Sequence, residues 1–292
     1  MNLRTALNRA KFELNNFDSG ELDAKILLLK AIEQDEKYLI LNPLFFLTNS
    51  QHARFRRYIR RRKKGEPVAY ITGHKEFYGL DFKINKNVLI PRPETEMLVE
   101  NALHFLESRI KNKELRSNNR INIIDVGTGS GCIITAVMKE IQKIIIHNSS
   151  FTIRAFAVDI SNKALSVAKF NVKKHEVDEG IKFYNSDLFS NQRLPKKYDL
   201  IIANLPYLKP DYKNLDFEPR SALDGGPDGL SIVRKLIEQL PEKLVNEGIA
   251  LLEIDNDQFS KLKKIVNKHR ELSIEEITEI PHWHGTVKIT RE

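Results

Sequence analysis

Residues Ile121–Gly131 read INIIDVGTGSG. The β-branched run Ile121–Val126 favours a strand. It leads into glycines at alternate positions, Gly127, Gly129 and Gly131. Glycine suits a turn in which φ is positive and backbone must come close to a ligand. A helix is predicted from Cys132. Further along, strands are predicted over Phe151–Val158, Ile181–Asn185, Tyr198–Ala203, Ile249–Ile254 and Thr286–Thr290. Helices are predicted over Ala164–Val172 and Ile232–Leu244. Alternation of this kind predicts an α/β, Rossmann-like, mostly parallel sheet covered on both faces. Its ligand belongs at the carboxyl ends of the strands.

Upstream the pattern differs. Residues 1–74 read as helical, with Glu21–Ile32 behind a capping Asp18 or Ser19 and a second helix over roughly Gln51–Lys64. In the first helix Leu3, Leu7 and Ala10 share a face. From Lys75 to Ile90 the period becomes two, which predicts a hairpin. Pro91-Arg92-Pro93-Glu94-Thr95-Glu96 then gives an extended entry to a helix whose first turn holds Pro93. Lys111–Asn119 is polar and predicts an exposed loop. The expected organisation is a helical domain over 1–74, a hairpin and PRPETE linker over 75–110, and a ligand-binding α/β domain over 111–292.

The glycine loop narrows the ligand. A dinucleotide loop places its third glycine one residue later, where this chain has Cys132. The alternating form suits S-adenosylmethionine, which has no phosphate to seat. Gly127, Thr128, Gly129, Ser130 and Gly131 are the candidate contacts. Asp159 ends the next strand and can accept both ribose hydroxyls; its competing role is a helix N-cap, which Ser161 could also supply. Asp187, beside Leu188, can accept from an adenine amino group.

Strand Tyr198–Ala203 runs into Asn204-Leu205-Pro206-Tyr207. An amide or aromatic amino nitrogen is a poor nucleophile because its lone pair is delocalised. Two acceptors can grip its two N–H groups: the Asn204 side-chain oxygen and the Leu205 carbonyl. Pro206 biases Leu205 toward extended backbone. Tyr207 offers a ring face for stacking. The same four residues could also form an ordinary strand-to-turn exit.

Composition sets the outer bounds. The chain has 292 residues, 41% hydrophobic and 29% charged, and a net charge of +8. That suits a folded protein and suggests about two domains. The single cysteine, Cys132, excludes an intrachain disulfide and fits a reducing cytoplasm. No apolar run reaches the roughly 18 residues of a membrane span. His282 and His284 flank Trp283 without further ligands, so no metal is expected. Arg54, Arg56, Arg57, Arg60, Arg61, Arg62, Lys63 and Lys64 form a basic run. It is either a solvated helix face or a contact for an acidic partner.

Taken together, ELDAKILLL (from Glu21), GEPVAYITG (from Gly65), VLIPRPETEMLVE (Val88–Glu100), DVGTGSGC, AVDIS, NSDLF and FEPRSALDGGPDGL (Phe217–Leu230) resemble the release-factor glutamine N5-methyltransferases. The resemblance covers nearly the whole chain. It implies a class I methyltransferase sheet with an antiparallel last strand. It implies S-adenosylmethionine on Gly127–Gly131, Asp159, Asp187 and Leu188, with Asn204 near both ligands. It implies class 1 peptide chain release factors as partners, gripped at the glutamine of their Gly-Gly-Gln motif by Asn204–Tyr207. There are two departures. Leu205 stands where the family usually has proline, and Asp255 where it tends to have glycine. N-L-P-Y is also similar to RNA adenine dimethyltransferases, so an N6-adenine methyltransferase acting on RNA or DNA is the alternative.

Overall fold

The computed structural model describes residues 1–111, 120–145, 152–211, 216–278 and 285–292. It divides into two compact units, Met1–His74 and Lys75–Glu292.

The first unit is helical: α1 (Leu3–Glu13), α2 (Gly20–Ile32), α3 (Glu36–Leu41), α4 (Asn49–Lys63) and α5 (Val68–Thr72). Side chains start several of them. Asn2 accepts from the Thr5 N–H, Asp35 accepts from the Tyr38 N–H, and Thr48 with Gln51 forms a capping box on α4. Ser19 precedes α2 without capping it; its hydroxyl donates to Asp23 instead. Leu3, Ala6 and Ala10 of α1 pack with Leu27, Leu28, Phe55 and Ile59 in one core. The basic run is largely spent inside this unit. Arg62 donates to the buried Asp23 at 2.7 Å and lies 4.0 Å over the Phe17 ring. Arg61 grips Glu66 with two donors, Arg56 and Lys63 share Glu13, and Arg54 pairs with Glu33.

A hairpin follows, β1 (His74–Phe77), which starts on the last residue of the first unit, and β2 (Leu80–Lys83), turned at Tyr78-Gly79 with φ of 52° and 70°. Phe77 and Phe82 are buried edge to face, their centroids 6.1 Å apart. Pro93–Thr95 forms a single 3-10 turn that runs into α6 (Glu96–Lys111). The chain then lays down β3 (Arg120–Val126), α7 (Cys132–Ile145), β4 (Thr152–Asp159), α8 (Asn162–Lys174), β5 (Ile181–Asn185), β6 (Tyr198–Ala203), α9 (Ser231–Lys243), β7 (Leu244–Ile254), α10 (Phe259–Val266), β8 (Leu272–Thr278) and β9 (Gly285–Arg291).

The seven strands β3–β9 form one sheet in the order β5-β4-β3-β6-β7-β9-β8. Strands β3 to β7 are parallel; β9 is antiparallel to both β7 and β8. The predicted antiparallel last strand is β9, and it lies inside the sheet rather than at its edge. The edge belongs to β8, which sequence patterning does not predict. Glu275 and Glu276 interrupt its apolar pattern, as charges commonly do on an edge strand. The expected strand at Ile249 begins earlier, at Leu244, across a break in register against β6. The chain reverses its direction of sheet building between β3 and β6, so a cleft opens where their carboxyl ends diverge. The predicted strand start at Phe151, residues 112–119 of the polar loop, and His282, Trp283 and His284 lie outside the described residues.

Candidate active site

The glycine loop is stitched to the end of β4. The N–H groups of Gly127 and Thr128 both donate to the Val158 carbonyl at 2.9 Å. Gly127, Gly129 and Gly131 have φ of 76°, 55° and 77°. The last two glycines serve different ends. A Cβ on Gly129 would meet nothing nearer than the Gly127 carbonyl oxygen at 3.9 Å, so that position faces open space. A Cβ on Gly131 would lie 3.0 Å from the Ala168 Cβ, so Gly131 lets α8 approach.

Asp159 faces the loop. Its Oδ2 accepts from the Gly129 N–H at 2.9 Å and its Oδ1 from the Ser161 N–H at 2.8 Å. Ser161 takes the N-cap of α8, accepting from the Ala164 N–H, which leaves Asp159 out of the capping role. Burial holds the Asp159 carboxyl above the usual carboxylate range. Asp187 is exposed, and Leu188 is buried with φ of 49°. Asn171, wholly buried in α8, donates to the Ser130 carbonyl and exchanges hydrogen bonds with the Lys83 backbone. It ties the hairpin to the glycine loop.

A cleft of about 1010 Å³, part of it open to solvent, joins these residues. Gly127, Thr128, Gly129, Ser130, Asp159, Asp187 and Leu188 line it together with Asn204, Leu205 and Pro206. Gly131 and Tyr207 are not among the lining residues. Arg92 and the Ile90 N–H both bind the buried Glu218, which fastens the segment before α6 over the cleft.

Asn204 leaves β6 half-buried. Its Nδ2 donates to the Thr95 hydroxyl at 3.1 Å. That hydroxyl donates to Glu253 Oε2 at 2.7 Å, and the Tyr207 hydroxyl donates to Glu253 Oε1 at 2.9 Å. Among the described residues neither the Asn204 Oδ1 nor the Leu205 carbonyl has a hydrogen-bond donor. The Leu205 side chain is packed in the sheet's core. Tyr207 stays a phenol: burial, then the Glu253 charge, raises its pKa far above the ordinary value.

Patterning missed Thr95, Glu253 and Gln258. A signal for Glu253 was present: an acid inside the apolar run LLEI must be partnered if buried. Asp255 also gains a structural role. It forms a capping box with Gln258 around Asn256–Gln258. Gln258 is thereby aimed at the Tyr207 carbonyl, which accepts from its Nε2 at 2.8 Å. Asp125, deep in β3, was also missed. It is wholly buried, accepts from the Thr128 hydroxyl at 2.6 Å, and is pushed up to about 7 chiefly by burial.

The comparisons with known proteins agree with this architecture. The PrmC N-terminal domain family matches residues 5–73, and a methyltransferase domain family matches residues 117–281. A release factor glutamine methyltransferase of Koribacter versatilis (strain Ellin345) is 37% identical over 262 residues, 87% of this chain and 86% of that protein. One of Coxiella burnetii (strain RSA 493 / Nine Mile phase I) is 38% identical over 259 residues, 86% of each. Among solved structures, the hMettl16 catalytic domain in complex with MAT2A 3'UTR hairpin 1 shares the fold with a TM-score of 0.51 at 18% identity, over 74% of this chain and 76% of that one.

Proposed function

The chain belongs to the release factor glutamine methyltransferases, and from that premise we propose that it methylates the side-chain nitrogen N5 of the glutamine in the Gly-Gly-Gln motif of class 1 peptide chain release factors, with S-adenosylmethionine as donor. The observation that carries this is a pair of acceptors without a donor among the described residues, the Asn204 Oδ1 and the Leu205 carbonyl, on two residues that line the cleft. A primary amide has two N–H groups to offer to such a pair.

The residues present suit the donor. Gly129 leaves room where a side chain would project, and Asp159 keeps acceptor capacity beyond the two backbone N–H groups it binds. Asp187 stands exposed on the cleft, open to an exocyclic amine. When bound, S-adenosylmethionine supplies an electrophilic methyl group on sulfur. The protein's own work is orientation. Gripping both amide protons lets the nitrogen pyramidalise and aims its lone pair across the cleft. The same acceptors offset positive charge developing on that nitrogen. Leu205 in place of proline keeps the carbonyl on which this depends.

In this assignment residues 1–74 and the hairpin within 75–110 hold the release factor, and 111–292 hold donor and amide. The adenine alternative keeps the N-L-P-Y form and the net charge of +8, while most of the basic run, which would also favour it, is bound to acids of its own unit. No metal cluster occurs among the described residues, and no described helix is long and apolar enough to cross a membrane.

The test is mass spectrometry of a purified release factor incubated with this protein and S-adenosylmethionine. A gain of one methyl group on the Gly-Gly-Gln glutamine is expected. Methylation of naked RNA, with none on the release factor, would reverse the assignment.

A further inference from the structure

An asparagine amide is an acceptor on one side and a donor on the other. For Asn204 to receive a substrate N–H, its oxygen must face the cleft. Rotated by half a turn, it would set its own NH2 against the substrate's. The Asn204 side chain makes one hydrogen bond among the described residues, from Nδ2 to the Thr95 hydroxyl. Thr95 therefore decides which way the amide faces.

A hydroxyl has a single proton to give. Thr95 gives it to Glu253 Oε2 at 2.7 Å, and the other Glu253 oxygen accepts from the Tyr207 hydroxyl at 2.9 Å. The Thr95 oxygen is left as an acceptor and selects the NH2 end of Asn204. Thr95 and Glu253 are each 2% exposed, so water does not readily substitute for either. Glu253 binds the Tyr207 hydroxyl through its other oxygen, and so holds both ends of the tetrapeptide.

We propose that Thr95 and Glu253 are positioning residues that fix the polarity of the Asn204 amide, so that its oxygen is the one presented to the substrate nitrogen. This presupposes the amide chemistry proposed above. Thr95 lines the cleft beside Asn204 and Glu253 does not; in this role each acts through Asn204.

The experiment compares wild type with Thr95→Val, Thr95→Ser, Asn204→Ala, Glu253→Gln and the double variant Thr95→Val/Asn204→Ala. Turnover and KM are read on release factor. Binding of S-adenosylhomocysteine is read by calorimetry. The Asn204 side-chain NH2 signal is followed by nitrogen-15 NMR, assigned by its loss in Asn204→Ala. Thr95→Val is expected to lower kcat about tenfold or more, as loss of one preorganised contact does. KM and the affinity for S-adenosylhomocysteine should move little. Thr95→Ser, which keeps the hydroxyl, should restore kcat. In the Asn204→Ala background, Thr95→Val should cost nothing further, since residues acting as one unit are not additive. The Asn204 NH2 signal should shift in Thr95→Val and Glu253→Gln. Full kcat in Thr95→Val, or additive losses in the double variant, would overturn the proposal. If wild type itself leaves release factor unmethylated, the substrate assignment fails. The NMR signal then still decides the relay, and an unmoved signal in both variants would overturn it.

Discussion

Asp159 holds the backbone N–H of Gly129 at 2.9 Å through one carboxylate oxygen, while the other oxygen holds Ser161 at the start of α8. The residue that ends β4 thus fixes the middle of the glycine loop. Both partners are donors. Asp159→Asn would turn its NH2 against one of them. Cofactor affinity is expected to fall about tenfold or more, the usual scale for losing a hydrogen bond to a charged group. Calorimetric titration with S-adenosylhomocysteine checks it; an unchanged Kd would remove Asp159 from the cofactor's site.

The glycines of the loop should separate stability from binding. Gly131→Ala forces a Cβ to within 3.0 Å of Ala168 at φ of 77°, so about 1–3 kcal/mol of stability should be lost. Gly129→Ala meets no clash and should cost only about 1–2 kcal/mol of left-handed strain. Its methyl group enters the cleft, so cofactor binding should suffer more than melting does. Urea denaturation and calorimetry on the two variants read the contrast. It would collapse if Gly129→Ala bound cofactor normally.

Asn204→Ala removes one of the two open acceptors. Turnover should fall roughly a hundredfold, by analogy with removing one preorganised contact to a developing charge. Leu205→Pro keeps the carbonyl and should stay within about tenfold of wild-type turnover. It should cost about 1–3 kcal/mol of stability, because the Leu205 side chain is packed in the core. Steady-state kinetics with chemical denaturation check both. Near-native turnover in Asn204→Ala would take that residue out of the reaction.

The parts of this fold legible in sequence are those where one rule acts alone. β5 and β6 begin and end where patterning predicts them. The strand ends also single out Asp159 and Asn204, and Asp187 two residues past β5; all three line the cleft. β8 was hidden because an edge strand carries charges for its own protection. Thr95 and Glu253 were hidden for a different reason. They lie 158 residues apart, and only the folded sheet shows that one supplies the other's acceptor. The basic run shows the same limit from the opposite side. Helical spacing identifies a cationic face but not the acids that neutralise it; Asp23, 39 residues from Arg62, does so from another helix.

Asp125 sets a pH dependence whose sign can be worked out. It is wholly buried and one of its oxygens has no partner among the described residues. Burial is the main cause that pushes it up to about 7, and the nearby Asp159 charge adds to this. Unfolded, the same carboxyl titrates near its ordinary value, about 3.9. Between these values the folded chain binds more protons than the unfolded chain, so this group's contribution to stability falls as pH rises. It is complete below about pH 4 and is lost as pH passes through about 7. From pH 5 to pH 7 the loss is roughly 2 kcal/mol by linkage. Asp125→Asn cannot titrate. Its oxygen can still accept from the Thr128 hydroxyl, so the loop contact survives. Unfolding free energies of wild type and variant, measured by urea at matched pH, should therefore differ most in favour of wild type at pH 5. The difference should shrink steadily toward pH 8. A difference that does not change with pH would mean that Asp125 keeps one protonation state throughout, and that the cost of burying its charge is met by a partner other than a proton.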